Sequence, residues 1–159
     1  MYVLERSQRT PAPLSDVFAF FSDPRNLARI TPPFLGFRVI AAPAELAAGS
    51  RIEYRIRWAF LTLRWVTRIT RWDPPAEFQD VEERGPYRTW IHTHRFIEGP
   101  DGVTMHDRVE YALPFGPAGR LVHALRVRRE LDAIFEYRRR AIEEIFGGGS
   151  RDRAAGATP

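Results

Sequence analysis

The sequence predicts an α+β fold: a curved antiparallel β-sheet wrapped around a long C-terminal α-helix, with two short helices after the first strand. Three observations carry that expectation. The middle of the chain alternates apolar and polar residues, most cleanly in RIEYRIRW at 51–58. There Ile52, Tyr54, Ile56 and Trp58 share one face, and Arg51, Glu53, Arg55 and Arg57 the other. Period-two alternation marks strands with one face buried. After LPFGP the spacing turns helical and stays so from Ala118 to Phe146. Between the opening strand and the alternating segments, Pro and Asp punctuate two short apolar stretches, which is the pattern of brief helices.

Tyr2 to Gln8 alternates and reads as a strand. Thr10 followed by Pro11 reads as a helix cap and first turn, so LSDVFAFFSD is expected to be a helix with Val17, Phe18 and Phe21 inward. Asp23 and Pro24 end it, PRNLARI supplies the second helix, and TPPFLG forbids its continuation. Six strands then follow, FRVIA, RIEYRIRW, LRWVTRITRW, EFQDVEE, RTWIHTHRFI and VTMHDRVEYAL, with DPP and EGPDG as turns. The last helix is expected to bury Leu121, Ala124, Leu125, Leu131, Phe135 and Ile142. A strongly curved sheet cannot close on such a helix without leaving space, and the short helices cap one end. An elongated cavity of the kind that holds small ligands is therefore expected between sheet and helix.

At 159 residues the chain suits one domain with its own core. That domain is expected over residues 1–146, with GGGSRDRAAGATP as a flexible polar tail over 147–159. Cysteine is absent, which excludes disulfides, thiolate ligands and a cysteine nucleophile. All 24 basic residues are arginine, which removes Schiff-base chemistry and a lysine general base. The net charge of +4 does not make a nucleic-acid binder. The arginines are interleaved with acids, as in RRELDAIFEYRRRAIEE, where a solvated, salt-bridged helix face is expected, and no nucleic-acid motif accompanies them. No run is apolar for the length a bilayer requires. MYVLERSQRT alternates like a strand and shows no signal peptide, so the expected compartment is the cytoplasm.

The candidate site lies in GPYRTWIHTHRF, residues 85–96. Trp90, His92, His94 and Phe96 occupy every second position of one strand and so share a face. If Phe96 pairs with Met105, then His94 opposes Asp107, His92 opposes Val109 and Trp90 opposes Tyr111. This register gathers the apolar residues on one side, and a slip by one residue would reverse Asp107. Two readings of His94 with Asp107 stay open. One is an imidazole oriented by a carboxylate and offered to a ligand. The other is a polar pair that satisfies itself in an apolar wall. Either sets the pair beside the cavity, so both residues are assigned as ligand-contacting and none as catalytic. His-x-His with Asp107 also offers a two-histidine, one-carboxylate metal set. The neighbours of the histidines are Trp90 and Phe96 rather than polar supporting groups, and no metal is assigned. Tyr54, Trp58, Trp65 and Tyr111 join Trp90 and Phe96 in an expected aromatic lining, in which buried hydroxyls would need partners. Arg138 stands near the apolar helix face. An ion pair with a strand carboxylate is expected there, with an anchor for an anionic ligand as the alternative. His106 and His123 are expected to face solvent.

The blocks DPRNLARITPPFLGF, WDPPAEFQDVEERGPYRTWIHTHRF and DRVEYALPFGPAGRLVHALRVRRELDAIFEYRR resemble a bacterial branch of the START-like or SRPBCC superfamily, the polyketide cyclase/dehydrase and lipid-transport proteins of the helix-grip fold. The resemblance runs from Val3 to Phe146. It implies a domain that encloses a small, largely hydrophobic molecule such as a lipid, an isoprenoid or an aromatic polyketide; no cofactor is expected. The alternative it leaves is an aromatase/cyclase or dehydratase in which a cavity histidine acts as general acid and base. Where a tight Gly/Pro turn is expected between Trp58 and Trp65, this chain has AFLTL, an apolar turn suited to a ligand, a partner or transient contact with a membrane surface.

Overall fold

The alternating segments form one antiparallel sheet of seven strands among the described residues, which are 1–58 and 61–147 of this computed structural model. The side chains of Trp58, Ala118 and Arg120 fall outside that description, as do Ala59 and Phe60 of the apolar turn and the expected tail from residue 148. The strands are β1 (Tyr2–Thr10), β2 (Arg38–Ala41), β3 (Arg51–Trp58), β4 (Leu61–Asp73), β5 (Glu77–Arg84), β6 (Thr89–Gly99) and β7 (Gly102–Ala112), in spatial order β1-β7-β6-β5-β4-β3-β2. Register shifts interrupt the β4–β5 ladder at Val66/Thr67 and at Ile69/Arg71. Such bulges bend a strand and increase its twist, which curves the sheet.

The β6–β7 register is the expected one: Trp90 opposes Tyr111, His92 opposes Val109, His94 opposes Asp107 and Phe96 opposes Met105. The turn closing that hairpin requires Gly102. Its φ is +121°, and a Cβ there would stand 2.0 Å from the Thr10 carbonyl oxygen at the end of β1.

Helix α1 (Leu14–Phe21) buries Val17, Phe18, Phe20 and Phe21. Its cap is Pro13 and not Thr10, because Thr10 is still paired with Val103 as the last residue of β1. PRNLARI forms the expected second short helix, Pro24–Ile30, with 3₁₀ geometry. The Asp23 side chain accepts from the Arg25 amide, and Pro33–Leu35 forms a second 3₁₀ turn. The C-terminal helix has three parts: α2 (Gly116–Val122), a π-helical turn (His123–Val127) and α3 (Arg128–Gly147). The π turn corrects two expectations. It holds one residue more per turn than an α-helix, so upstream side chains sit one position away from a straight helical projection. His123 and Val127 are buried in line with Leu131, Phe135 and Ile142, and Leu121, Ala124 and Leu125 are exposed.

Two apolar clusters result. One joins Val17, Phe18, Phe21, Phe78, Phe96 and Ile142 beneath α1. The other joins Leu4, Val109, Tyr111, Val127, Leu131 and Phe135 beneath the helix. Each fully buried large side chain contributes about 1.5–3 kcal/mol. His123 packs beside the second cluster. It is 8% exposed, shares a 2.9 Å hydrogen bond with the Tyr111 hydroxyl, and stacks on Tyr2 with ring centroids 3.5 Å apart. The sequence placed it in solvent; the added residue of the π turn brings it inside.

Candidate ligand cavity and its histidine cluster

Between the sheet and the helix lies a cavity of about 440 Å³. Its walls draw on both clusters: Phe21, Ile69 and Phe78 from one, Val127, Leu131 and Phe135 from the other. Pro24, Leu27 and Ile30 of the 3₁₀ segment Pro24–Ile30 also line it. The polar wall groups include Asp80, His92, His94, Tyr54, Thr67 and Arg138.

Of the residues singled out in the sequence, Tyr54, Trp65, Trp90, His92, His94 and Arg138 line this space. Phe96, Asp107 and Tyr111 do not. Phe96 packs on Phe18 and Phe21 because α1 covers that end of β6. Tyr111 is turned to His123. Asp107 stands behind the histidines. Asp80 was missed, although EFQDVEE carries the signal: period-two alternation puts Asp80 on the face of Phe78. Its cross-strand partner is His92, and that of Phe78 is His94.

Asp107 Oδ1 lies 2.8 Å from His92 Nε2 and 2.9 Å from His94 Nδ1. His94 Nε2 is 3.6 Å from Asp80 Oδ2, and the Thr67 hydroxyl donates to Asp80 Oδ1 at 2.8 Å. Arg138 Nη1 is 3.6 Å from Asp107 Oδ1, the strand carboxylate expected for it. Burial alone would favour neutral His94, but its bonds to Asp107 and Asp80 outweigh burial and raise its pKa. Burial together with the neighbouring charge of His94 lowers that of His92 to about 4. Burial would also raise both aspartates, yet hydrogen bonds and charge from the histidines hold Asp80 low and Asp107 well below the ordinary carboxylate range. The cluster therefore sets two carboxylates against the Arg138 guanidinium and a His94 ring that holds its proton more firmly than a free imidazole. His92 stays neutral, donating through Nε2 to Asp107 and keeping Nδ1 as an acceptor.

Among the described residues, two side chains in the wall carry donors without a hydrogen-bond partner: Trp65 at Nε1, and Arg138 at Nε and Nη1. The Arg138 guanidinium stands 5.0 Å from the centre of the Phe135 ring, a cation–π contact that uses no hydrogen-bond donor. Asp80, His92 and His94 each bring one potential ligand atom within 4.8 Å of the others and could hold a divalent cation. Asp107, bonded to both histidines, is the kind of supporting carboxylate that orients metal-bound imidazoles.

A curved seven-stranded sheet gripping a long helix around a cavity of this size defines the helix-grip class of ligand-enclosing proteins. The chain belongs to the polyketide cyclase/dehydrase and lipid transport family, whose model matches residues 10–134. Solved structures share the fold. TTHA0849 from Thermus thermophilus is 19% identical, with a TM-score of 0.67 over 98% of this chain and 100% of that one. Ms6760 from Mycobacterium smegmatis is 17% identical, with a TM-score of 0.67 over 92% of each chain. A nucleoside-diphosphate sugar epimerase from Corynebacterium glutamicum is 24% identical over 95% of this chain and 30% of its own, with a TM-score of 0.64. No curated protein matches significantly. Among the described residues no helix is long and apolar enough to cross a membrane.

Proposed function

We propose that the protein binds a small, largely apolar molecule in this cavity, a lipid, isoprenoid or aromatic polyketide whose oxygen atoms meet the unpartnered donors of Trp65 and Arg138. The observation that carries the reading is the coexistence of an apolar enclosure with buried donors that have no hydrogen-bond partner among the described residues. Apolar burial supplies affinity at about 25 cal/mol per Å², and unpaired buried donors gain most from a ligand that accepts from them. Native mass spectrometry of protein purified from its own host tests this directly. A retained molecule of that class is the expected result. Anilinonaphthalene sulfonate should also bind saturably, with His94→Ala weakening it more than His106→Ala. An empty native protein that also fails to bind the probe would sink the reading.

One observation favours a second reading, in which the cavity performs a cyclisation or dehydration. Neutral His92, oriented by Asp107 and lining the cavity, is built like a general base. Turnover of an aromatic polyketide precursor that His92→Gln abolishes without loss of binding would establish it. Unchanged turnover would remove His92 from the chemistry.

A further inference from the structure

The segment leading from the cavity into the long helix is apolar on its outside. Phe115 is 84% exposed, Leu125 65%, Leu121 61% and Val122 41%. Phe115 and Val122 also line the cavity, and residues that are both wall and surface mark its mouth. On the sheet, Leu61 is a further exposed apolar side chain. It is 45% exposed and lies two positions along β4 from cavity-lining Leu63, on the same strand face. Phe115 holds φ at 67°, a conformation that strains a bulky L-residue. Strain that presents a bare phenyl ring to water gives the isolated fold nothing, and strain of this kind collects where a surface is used.

Charge distinguishes the possible occupants. Residues 115–129 contain Arg120, Arg126, Arg128 and Arg129 and no acidic residue. Arg126 is paired with Glu130 at 2.6 Å, and Arg128 and Arg129 are exposed. A second copy docking here about a two-fold axis would set arginine against arginine. The complement of an apolar face flanked by arginines is an apolar surface bearing negative charge, which is the interface of an anionic bilayer. We propose that the face carrying Phe115, Leu121, Val122 and Leu125 seats the cavity mouth on an anionic phospholipid surface. In that pose an apolar molecule passes between bilayer and cavity without crossing water.

The test is co-sedimentation of the full chain with vesicles of phosphatidylcholine alone and of phosphatidylcholine with phosphatidylglycerol. Binding is expected only with phosphatidylglycerol and should weaken as salt rises. The double variant Leu121→Asp, Leu125→Asp alters two exposed side chains and should bind these vesicles about tenfold more weakly or worse. Arg128→Glu should weaken binding as well. Anilinonaphthalene sulfonate titration of the double variant should match the wild type, which separates loss of docking from loss of the cavity. No binding to anionic vesicles, equal binding of the double variant, or a dimer in analytical ultracentrifugation that the double variant abolishes would each overturn the proposal.

Discussion

His92 and His94, two residues apart on β6, rest on a single oxygen of Asp107, at 2.8 and 2.9 Å, with their rings 3.8 Å apart. Two imidazoles that close cannot both carry charge cheaply, and the second carboxylate, Asp80, tilts the balance so that His94 is the ring whose protonated form is favoured. Asp107→Asn removes the charge that offsets both His94 and Arg138. The variant is expected to lose roughly 3–5 kcal/mol, the usual consequence of stranding a buried charge. Urea denaturation at neutral pH measures it. A loss below about 1 kcal/mol would mean that Asp80 alone balances the cluster.

The same arrangement fixes a pH dependence for His92. Its folded pKa, about 4, lies below the ordinary 6.5. Between those values the unfolded chain holds a proton there that the folded chain does not, so folding stability contributed by this group falls as pH drops from 6.5 to 4. His94 has the opposite sign. Its raised pKa makes its contribution full below 6.5 and lost as pH climbs through the folded value. The difference in unfolding free energy between wild type and His92→Gln isolates the first effect, and it should shift in favour of the variant as pH falls from 6.5 to 4. A pH-independent difference would show that His92 titrates normally.

Arg138 distinguishes a ligand anchor from a structural ion pair. Its contact with Asp107 is long, at 3.6 Å, and its Nε and Nη1 are buried without a hydrogen-bond partner among the described residues. Arg138→Met keeps the stem that packs near Phe135 and deletes the donors. Affinity for anilinonaphthalene sulfonate should fall about tenfold, the usual scale of a lost charge-assisted hydrogen bond. Affinity for neutral phenylnaphthylamine should hold. Fluorescence titration of both probes reads the contrast, and equal losses would make Arg138 a packing residue.

How much of this was legible in the sequence depends on how local each determinant is. The β6–β7 register could be read because period-two patterning leaves one pairing that keeps Trp90, His92, His94 and Phe96 on the apolar side. Asp80 stayed hidden because it meets the histidines only through the β5–β6 pairing, and EFQDVEE does not announce its partner. His123 and the Leu121/Leu125 face were misplaced together by one cause. The π turn carries His123 onto the Tyr111 and Tyr2 rings, contacts that no helical projection contains. Phe96 and Tyr111 share the face of the histidines as read, but α1 and the π turn cover them, so facing the helix did not suffice to face the cavity.

Glu82 carries a stability change of the opposite sign to that of His92. Its Oε1 accepts from the Tyr87 amide at 3.0 Å, its Oε2 is buried without a hydrogen-bond partner among the described residues, and Gly85 leaves it room, since a Cβ there would stand 2.5 Å from its carboxyl carbon. Burial pushes its pKa up to about 7, against the bond from Tyr87, which alone would lower it. A carboxyl with a raised folded pKa holds its proton more tightly folded than unfolded. Its contribution is therefore full below the unfolded value of 4.5 and is lost as pH rises through about 7. Glu82→Gln copies the protonated form and keeps an oxygen for the Tyr87 amide. At pH near 8 it should be more stable than wild type by roughly 1–2 kcal/mol, after discounting for the part of the group that water still screens. At pH near 4 the two should coincide. Urea melts at both pH values decide it, and equal stability at pH near 8 would mean that the carboxylate is hydrated in the folded chain.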